Sequence, residues 1–372
     1  MKPLRIAIVG AGRLGRFHAQ KAAARDDVEL VAVVDPDQQA RDRVATECNT
    51  ESRADYFSLF GRIDAAVVAA PTKLHHRLAL ELLRRKVHVL VEKPICATRA
   101  EADELVDVAG DANVVLQVGH VERFNPAFSS GAAHLARPKY IESVRTSPFP
   151  FRSTDVGVVL DVMIHDIDLV LSMVRSRVRK VEALGLSVLG GHEDVANARL
   201  TFDSGCVANL SASRVSYETI RRMHVWSQRA FASVDFAERT ATTLKPSETL
   251  LRREFDVDAL SPEQVEHYKE HLDVEHLPRH TQQFEPVDAL AAELQDFVDA
   301  VRTPRVPRVS GVAGRDALAV AEQILGRIHS HSWDNTTEGP VGPMAVPGRG
   351  VIPAPHFDLS PTPAILPRKE AG

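Results

Sequence analysis

Short apolar runs alternate with amphipathic stretches through the first third of the chain. Five of these runs predict strands, at residues 4–9, 28–34, 65–69, 87–91 and 114–118. The stretches between them carry apolar residues at helical spacing, as at 73–85 and 99–109. Because wholly apolar strands alternate with helices, this part of the chain is predicted to form a doubly wound parallel sheet of the α/β class.

The second half of the chain follows a different pattern. A strand is predicted at 140–145, an apolar helix at 160–173, and amphipathic helices at 287–302 and 310–328. Between these helices lie five or six strand-like runs, at 180–188, 196–202, 206–214, 221–226, 230–236 and 240–244. Their close succession indicates an antiparallel meander, so we predict an α+β domain with a large, mostly antiparallel sheet.

Breaks in these patterns divide the chain. Gly, Asn and Pro interrupt the segment at 119–126, so we place a first domain at 1–122 and a second at 123–332. The polar segment at 245–285 is interpreted as a surface insertion, and its histidines have no recognisable metal-ligand spacing. The Gly- and Pro-rich tail at 333–372 is interpreted as disordered or loosely attached.

Composition narrows the function classes. The 372 residues are 44% hydrophobic and 26% charged, which is typical of globular proteins, and the length indicates two domains. A formal net charge of -5 gives no electrostatic reason to expect nucleic-acid binding. Three widely spaced cysteines indicate neither disulfides nor a metal site, so we expect a cytoplasmic protein with reduced thiols. No apolar run reaches the roughly 18 residues of a membrane span, and we expect no signal peptide.

A glycine-rich turn follows the first predicted strand. The run Gly10-Ala11-Gly12-Arg13-Leu14-Gly15 leads directly into a helical pattern, so GxGxxG lies between a strand and a helix. There the glycines allow a tight turn, a close approach to a pyrophosphate, and helix–strand packing. Asp35 ends the second strand, where an acidic residue holds the adenosine ribose and repels a 2′-phosphate. We therefore predict a Rossmann domain that binds NAD through Gly10, Gly12, Arg13, Leu14, Gly15 and Asp35. The alternative is an ordinary turn.

A second group of polar residues follows the third and fourth predicted strands. Pro94 must end the strand that leads into Glu92 and Lys93, because proline cannot donate to a strand ladder. Ligands of open parallel sheets bind at the carboxyl edge of the strands. We predict that this edge contacts the cofactor through Pro71, Thr72, His75, Glu92 and Lys93. The alternatives are a solvated ion pair for the charged residues and local packing for the histidine.

The helix predicted at 160–173 carries polar residues on an otherwise apolar background. Asp161, His165 and Asp168 are spaced i, i+4, i+7, which places them on one face of an α-helix. Imidazole is the side chain whose ordinary pKa lies nearest neutrality, so His165 is a candidate general base. Asp161, one turn away, is predicted to orient it. The alternative is a solvated helix face.

These motifs resemble a known family. The glycine turn, the Glu92-Lys93-Pro94 tip and the Asp161…His165 helix, in this order, are similar to those of the Gfo/Idh/MocA oxidoreductases over roughly residues 1–330. The resemblance implies a Rossmann domain, a C-terminal sheet domain, and hydride transfer between a sugar carbon and NAD(P). It maps a catalytic lysine onto Lys93 and the family's Asp and His onto Asp161 and His165. Met163 stands where many members have glycine.

A subgroup resembles the chain more closely. Segments 118–126, 154–168, 197–200 and 211–216 look like those of bacterial UDP-N-acetylglucosamine 3-dehydrogenases. That resemblance implies oxidation of a sugar 3-hydroxyl to a ketone, which a partner aminotransferase aminates during lipid A biosynthesis. The substrate would then be a nucleotide sugar. The candidate substrate-binding residues are Arg123, Asn125, Arg152, Asp168 and Arg214.

The expected mechanism uses two of these segments together. His165 takes the hydroxyl proton, Lys93 donates a hydrogen bond to the same oxygen, and Asp161 holds His165. One alternative is a dehydrogenase of a free sugar or inositol, and another is a non-catalytic NAD-binding regulatory protein. The large sheet leaves one face to cover, so we expect a homo-oligomer, a dimer or tetramer, formed through that sheet.

Overall fold

The computed structural model describes residues 2–132, 135, 137–151, 156–189 and 191–331. Arg152 and the tail at 333–372 lie outside the described residues, so the predictions made for them stay predictions. Within the described part, the chain forms a six-stranded parallel sheet and an eight-stranded, mostly antiparallel sheet. This arrangement confirms the predicted fold class.

The six-stranded sheet contains all five strands predicted for the first third of the chain. Its strands are β1 (Leu4–Val9), β2 (Val28–Val34), β3 (Glu51–Arg53), β4 (Ala65–Val68), β5 (His88–Glu92) and β6 (Leu116–Gly119). In space they follow the order β3-β2-β1-β4-β5-β6, so the strand order reverses between β1 and β4. Ligands of doubly wound sheets bind at such a switch point, beyond the carboxyl ends of the strands.

Four helices cover this sheet. They are α1 (Arg13–Ala23), α2 (Gln38–Glu47), α3 (Thr72–Arg84) and α4 (Arg99–Ala112). Their buried residues recur at helical spacing, as the apolar pattern predicts. The start of α4 is fixed by a capping box between Thr98 and Glu101, which satisfies two backbone N–H groups that the helix leaves unpaired.

The second sheet has eight strands. They are β7 (Tyr140–Thr146), β8 (Val178–Leu186), β9 (Val195–Phe202), β10 (Val207–Ser213), β11 (Ile220–Trp226), β12 (Phe231–Asp235), β13 (Thr240–Leu244) and β14 (Arg279–Gln283). Their order is β14-β13-β12-β11-β7-β10-β9-β8. Only β7 and β10 pair in parallel among these strands. Residues of the central strands alternate between buried and accessible, so one face of the sheet is covered by helices and the other is open.

Five further helices belong to the second half of the chain. They are α5 (Ile164–Val174), α6 (Glu248–Leu251), α7 (Pro262–His276), α8 (Ala289–Arg302) and α9 (Gly311–Ser330). A π-helical turn, Val159–Met163, leads into α5. The core on the covered face of the sheet is formed by apolar residues of α5, α9 and the strands.

The segment predicted as an irregular insertion has more regular structure than expected. It contains α6, α7 and the edge strand β14. A capping box between Ser261 and Gln264, with Pro262 in the first turn, fixes the start of α7. No residue of α7 or β14 is buried. Because neither element packs a face against the core, neither needs regularly spaced apolar residues. The interpretation as a surface segment agrees with this, but the expectation of irregular structure was wrong.

The last two helices pack back on the first domain. Leu294, Phe297 and Val298 of α8 are fully buried in a cluster with residues of β1, β2 and α1. The side chain of Gln117 in β6 donates a hydrogen bond to the carbonyl of Glu293 at 3.0 Å. The division at residue 122 stays a prediction, and the first domain's core includes side chains from near residue 300. In the described residues, no helix is both long and apolar enough to cross a membrane.

Candidate active site

The glycine turn between β1 and α1 is closely packed on one side and open on the other. Gly10 has a φ of +109°, and a Cβ there would collide with the backbone of Ala69. A Cβ on Gly15 would overlap the carbonyl of Gly10, whereas a Cβ on Gly12 would meet no atom within 4 Å. The turn therefore has free space only where a ligand would approach.

Asp35 links the glycine turn to the end of β2. Its carboxylate accepts hydrogen bonds from the backbone N–H of Ala11 at 2.7 Å and of Asp37 at 2.9 Å. No side chain caps the N-terminus of α1, so its first-turn N–H groups face the open space at Gly12. These features fit a dinucleotide, with the pyrophosphate on the helix N-terminus and the adenosine ribose on Asp35.

A cavity of about 650 Å³ lies between the domain of the parallel sheet and the domain of the mostly antiparallel sheet. Its walls include Leu14 of the glycine turn, Lys93 at the end of β5, and Asp161 and His165 on the second domain. The three predicted catalytic residues therefore share one cavity with the edge of the glycine turn. Of the other predicted cofactor residues, Pro71, Thr72, His75 and Glu92 also line it. Arg13 lies outside the lining, with its guanidinium over the ring of Phe17.

Lys93 and Asp161 join the two domains directly. The ammonium of Lys93 donates to the backbone carbonyl of Asp161 at 2.6 Å and to its carboxylate at 2.9 Å. We predicted that Asp161 would orient His165, but within the described residues no hydrogen bond joins these two side chains. The physical reason is the π-helical turn at Val159–Met163, which changes the helical period and turns Asp161 towards Lys93.

His165 is held by packing rather than by a carboxylate. Its Nδ1 is buried without a hydrogen-bond partner among the described residues, and the ring of His120 lies edge-on at 6.2 Å. Burial lowers the pKa of His165 well below its usual 6.5, and the nearby charges of Lys93 and Arg145 lower it further. The imidazole is therefore neutral at pH 7 and can accept a proton.

Glu92 lies beneath the cavity in a buried polar cluster. Its carboxylate is 2.7 Å from Nε2 of His18. Burial acts to raise the pKa of Glu92, but the hydrogen bond with His18 and the charges around it hold that pKa below its usual value. Glu293 of α8 lies within 4.8 Å of this pair, and neither of its carboxylate oxygens has a partner among the described residues.

Burial raises the pKa of Glu293 well above its usual value, and the charge of Glu92 raises it further. The three side chains, His18, Glu92 and Glu293, have the composition of a metal site. The raised pKa of Glu293 favours its protonated form, which lowers the negative charge of the cluster. The expectation of a protein without a metal stays a prediction.

His75 connects two strand ends. Its ring nitrogens lie 2.8 Å from the carbonyl of Pro94 and 2.7 Å from the carbonyl of Ala70, and the side chain is almost fully buried. The peptide bond between Lys93 and Pro94 is cis. His75 thus holds the Lys93 tip against the end of β4, which is the packing role considered as the alternative to cofactor contact.

Three of the predicted substrate-binding residues lie outside the cavity lining. The guanidinium of Arg123 is 2.6 Å from the carboxylate of Asp168, which is 1% exposed, so the two residues bind each other. Asn125 donates weakly to Glu122 and to the carbonyl of Phe236, at 3.4 Å each. These three predictions stay untested, but the geometry favours a role in holding the second domain together.

Arg214 lines the cavity but has partners of its own. It donates to the carboxylate of Asp194 and to the carbonyl of Val156, both at 2.7 Å, and it is 3% exposed. Two arginines that we did not predict also line the cavity, Arg145 on β7 and Arg221 on β11. His120 was likewise missed. All three lie in predicted strands or turns, where only the pairing of strands could reveal which side chains face the site.

Comparisons with known proteins agree with this geometry. A model of an oxidoreductase family with an NAD-binding Rossmann fold, GFO_IDH_MocA, matches residues 4–120, and a model of the GFO/IDH/MocA C-terminal domain matches residues 132–232. A UDP-N-acetylglucosamine 3-dehydrogenase of Acidithiobacillus ferrooxidans is 35% identical over 322 residues, which is 86% of this chain and 96% of that protein. A crystal form of that enzyme superposes with a TM-score of 0.76, at 34% identity over 88% of this chain and 98% of that chain.

A more distant relative acts on a different substrate class. The scyllo-inositol 2-dehydrogenase (NAD(+)) of Bacillus subtilis is 28% identical over 232 residues, which is 57% of this chain and 68% of that protein.

The packing of the glycine turn predicts different outcomes for two substitutions. Gly12→Ala should leave the melting temperature unchanged but weaken NAD binding about 10- to 100-fold, because the methyl group would occupy the space that the pyrophosphate needs. Gly15→Ala should lower the stability by about 1–3 kcal/mol, since its methyl group would overlap the turn's own backbone. Calorimetric NAD titration and thermal unfolding measure both. Equal melting temperatures for the two variants would contradict this description of the turn.

The pairing of Asp161 predicts which residue it is coupled to. Lys93→Met and Asp161→Asn should together shift the melting temperature by much less than the sum of their separate shifts, because either one breaks the same ion pair. The shifts in melting temperature caused by Asp161→Asn and His165→Gln should be close to additive when the two substitutions are combined. Thermal unfolding of the single and double variants makes this comparison. Additive shifts for the first pair, with strong coupling in the second, would support the original prediction that Asp161 orients His165.

Proposed function

Because the chain belongs to the Gfo/Idh/MocA family of NAD-binding oxidoreductases, we propose that it oxidises the 3-hydroxyl of UDP-N-acetylglucosamine to a ketone. The observation that carries the proposal is the shared cavity: Lys93 and His165 line the same space as the edge of the glycine turn. The similarity to an enzyme of that activity along 86% of this chain supports the choice of sugar.

His165 is proposed to act as the general base. Oxidation of a secondary alcohol removes a proton from the oxygen and a hydride, with its electron pair, from the carbon. His165 is the cavity residue suited to take the proton, since its lowered pKa keeps the imidazole neutral. The imidazolium that forms would then return the proton to solvent. NAD, when bound, supplies the hydride acceptor.

Lys93 is proposed to stabilise the charge that develops on the substrate oxygen. Its ammonium lies in the cavity and has three N–H donors. Two of these are used by the carbonyl and carboxylate of Asp161, which leaves one to point at a substrate oxygen. Asp161 therefore fixes the position of Lys93 before substrate arrives, which is the preorganisation that electrostatic catalysis requires.

The cofactor is proposed to lie along the carboxyl edge of the first sheet. Gly10, Gly12, Gly15 and Asp35 would hold its pyrophosphate and adenosine ribose, for the reasons given by the turn's packing. Leu14, Pro71 and Thr72 would cover its other end, together with the tip that His75 and Glu92 support. This placement would put the reactive end of NAD in the cavity that Lys93 and His165 line.

A second candidate is an NAD-dependent dehydrogenase of a free sugar or inositol. The similarity to an inositol dehydrogenase favours it, although that match covers only 57% of this chain. The two candidates use the same catalytic residues and differ in whether the substrate carries a nucleotide. A panel of substrates separates them.

We further propose that the enzyme works in the cytoplasm and supplies an aminotransferase during lipid A biosynthesis. Amination of the reaction product by such an enzyme, followed by mass spectrometry, tests that step. A homo-oligomer is proposed to form through the open face of the second sheet, where Tyr140, His224, Trp226 and Phe231 form an aromatic cluster. A monomeric mass in light scattering would contradict this.

Substitution of the two catalytic residues tests the mechanism. Lys93→Ala and His165→Ala should each lower the turnover of UDP-N-acetylglucosamine by roughly 10²–10⁴-fold, because each removes a group that acts on the reacting oxygen. NAD affinity should change little. The measurement is NADH absorbance with UDP-N-acetylglucosamine, compared with myo-inositol as substrate.

The acidic limb of the pH profile provides a further readout of the same experiment. Because the pKa of His165 lies well below 6.5, the wild-type rate should fall only at pH values below that of an ordinary histidine. Turnover near the wild-type value in either variant would refute the assignment. Activity with myo-inositol alone would refute the nucleotide-sugar substrate and leave the mechanism standing.

A further inference from the structure

The basic side chains that line the cavity differ in whether they are paired with a carboxylate. Among the described residues, the lysines and arginines of the lining are Lys73, Lys93, Arg145, Arg214 and Arg221. Three have carboxylate partners: Lys93 binds Asp161, Arg145 binds Asp166 and Glu122, and Arg214 binds Asp194, at distances of 2.6–2.9 Å. Lys73 and Arg221 make no ion pair and no side-chain hydrogen bond with any residue that the structure describes.

The difference between Arg145 and Arg221 follows from their positions on neighbouring strands. They lie directly opposite each other in the antiparallel pair of β7 and β11, so their side chains leave the same face of the sheet. Arg145 is 5% exposed and lies over the ring of Phe236, within its two ion pairs. Arg221 is exposed, near the start of β11, where the covered face of the sheet opens into the cavity.

The residues that follow show that this face is the inner one. Met223 and Val225, two and four residues beyond Arg221, are fully buried in the core of the second domain. Arg222, between Arg221 and Met223 in sequence, points to the other face and pairs with Asp235 at 3.3 Å. The chain therefore places, at the edge of an apolar core, a guanidinium that pairs with no described residue, in the same cavity lining as Lys93 and His165.

An arginine that already binds a buried carboxylate cannot turn to a ligand without leaving that carboxylate unpaired, which is costly. An unpaired guanidinium keeps all five N–H donors, in a planar fork that matches the oxygens of a phosphate. We propose that Arg221 binds the diphosphate of the nucleotide sugar and so selects nucleotide-linked sugars over free ones. This inference rests on the proposed function and adds an arginine that was not among those predicted from the sequence.

Lys73 is the weaker candidate for this role. It lies in the first turn of α3, directly after Pro71 and Thr72, on the wall proposed for the cofactor. Arg221 is carried by β11 of the second domain. Arg221 thus belongs to the part of the lining that the second domain supplies together with Asp161 and His165, apart from the residues proposed for the cofactor.

The test compares Arg221→Ala with Arg222→Ala in the NAD-loaded protein. Calorimetric titration with UDP should show about 10- to 100-fold weaker binding for Arg221→Ala, the loss expected for one charge-assisted fork. The KM for UDP-N-acetylglucosamine should rise by a similar factor, with a much smaller change in kcat. Arg222→Ala removes the same charge from the neighbouring position outside the cavity, so it should bind UDP as the wild type does. Arg221→Lys should fall between the two.

Three outcomes decide the proposal. Titration with inorganic pyrophosphate should show the same loss in Arg221→Ala, and an unchanged pyrophosphate affinity would overturn the assignment to the phosphates. If Arg221→Ala bound UDP as tightly as Arg222→Ala does, the proposed role of Arg221 would be overturned and the proposed function would remain intact. A wild-type protein that binds neither UDP nor UDP-N-acetylglucosamine would overturn the proposed function, and this inference with it. NAD affinity, measured in parallel, should be the same in all variants.

Discussion

The contact between Lys93 and Asp161 fixes the relation of the two catalytic segments. The residues are 68 positions apart, one at the end of a parallel strand and the other in a π-helical turn. Each side chain is 15% exposed, so the pair is less accessible to water than a surface ion pair is. A partly buried pair of this kind tolerates little change in geometry, because separating its members would leave a charge without a partner. Because Lys93 and His165 both line the cavity, this contact also constrains the space between them.

The same rule explains the other charges around the cavity. Arg145 and Arg214 enter a largely apolar domain, and each does so with a carboxylate already bound. Where no described residue offers a partner, burial favours the neutral form of the group instead, as it does for His165 and Glu293. A neutral base and a positioned ammonium then lie side by side. In the proposed mechanism, this combination would allow a proton to move towards the imidazole while the ammonium attracts the oxygen that the proton leaves.

The sequence predicts most of the fold because the relevant signals are local. Apolar strands, the glycine turn and its acidic partner Asp35 each depend on residues close together in the chain, and the structure contains all of them. Partners of charged side chains depend instead on which elements meet. The i, i+4 spacing predicts a pair between Asp161 and His165. In the structure, Asp161 lies in a π-helical turn and pairs instead with Lys93 of the other domain.

The pairing of strands is likewise absent from the pattern of apolar and polar residues. Arg123 looks as available for a ligand in the sequence as Arg221 does. Only the tertiary structure shows that Asp168 binds the first and that no described residue binds the second. The edge strand β14 was missed for a related reason, since an exposed strand with no buried residue carries no alternation of apolar and polar positions.

The return of α8 to the first domain has a consequence for how the protein is made. Leu294, Phe297 and Val298 complete a core whose other members lie in the first 120 residues. When the ribosome has released the glycine turn and its sheet, that core still lacks one of its layers. We expect the nascent nucleotide-binding half to remain incompletely covered until α8 has also left the ribosome.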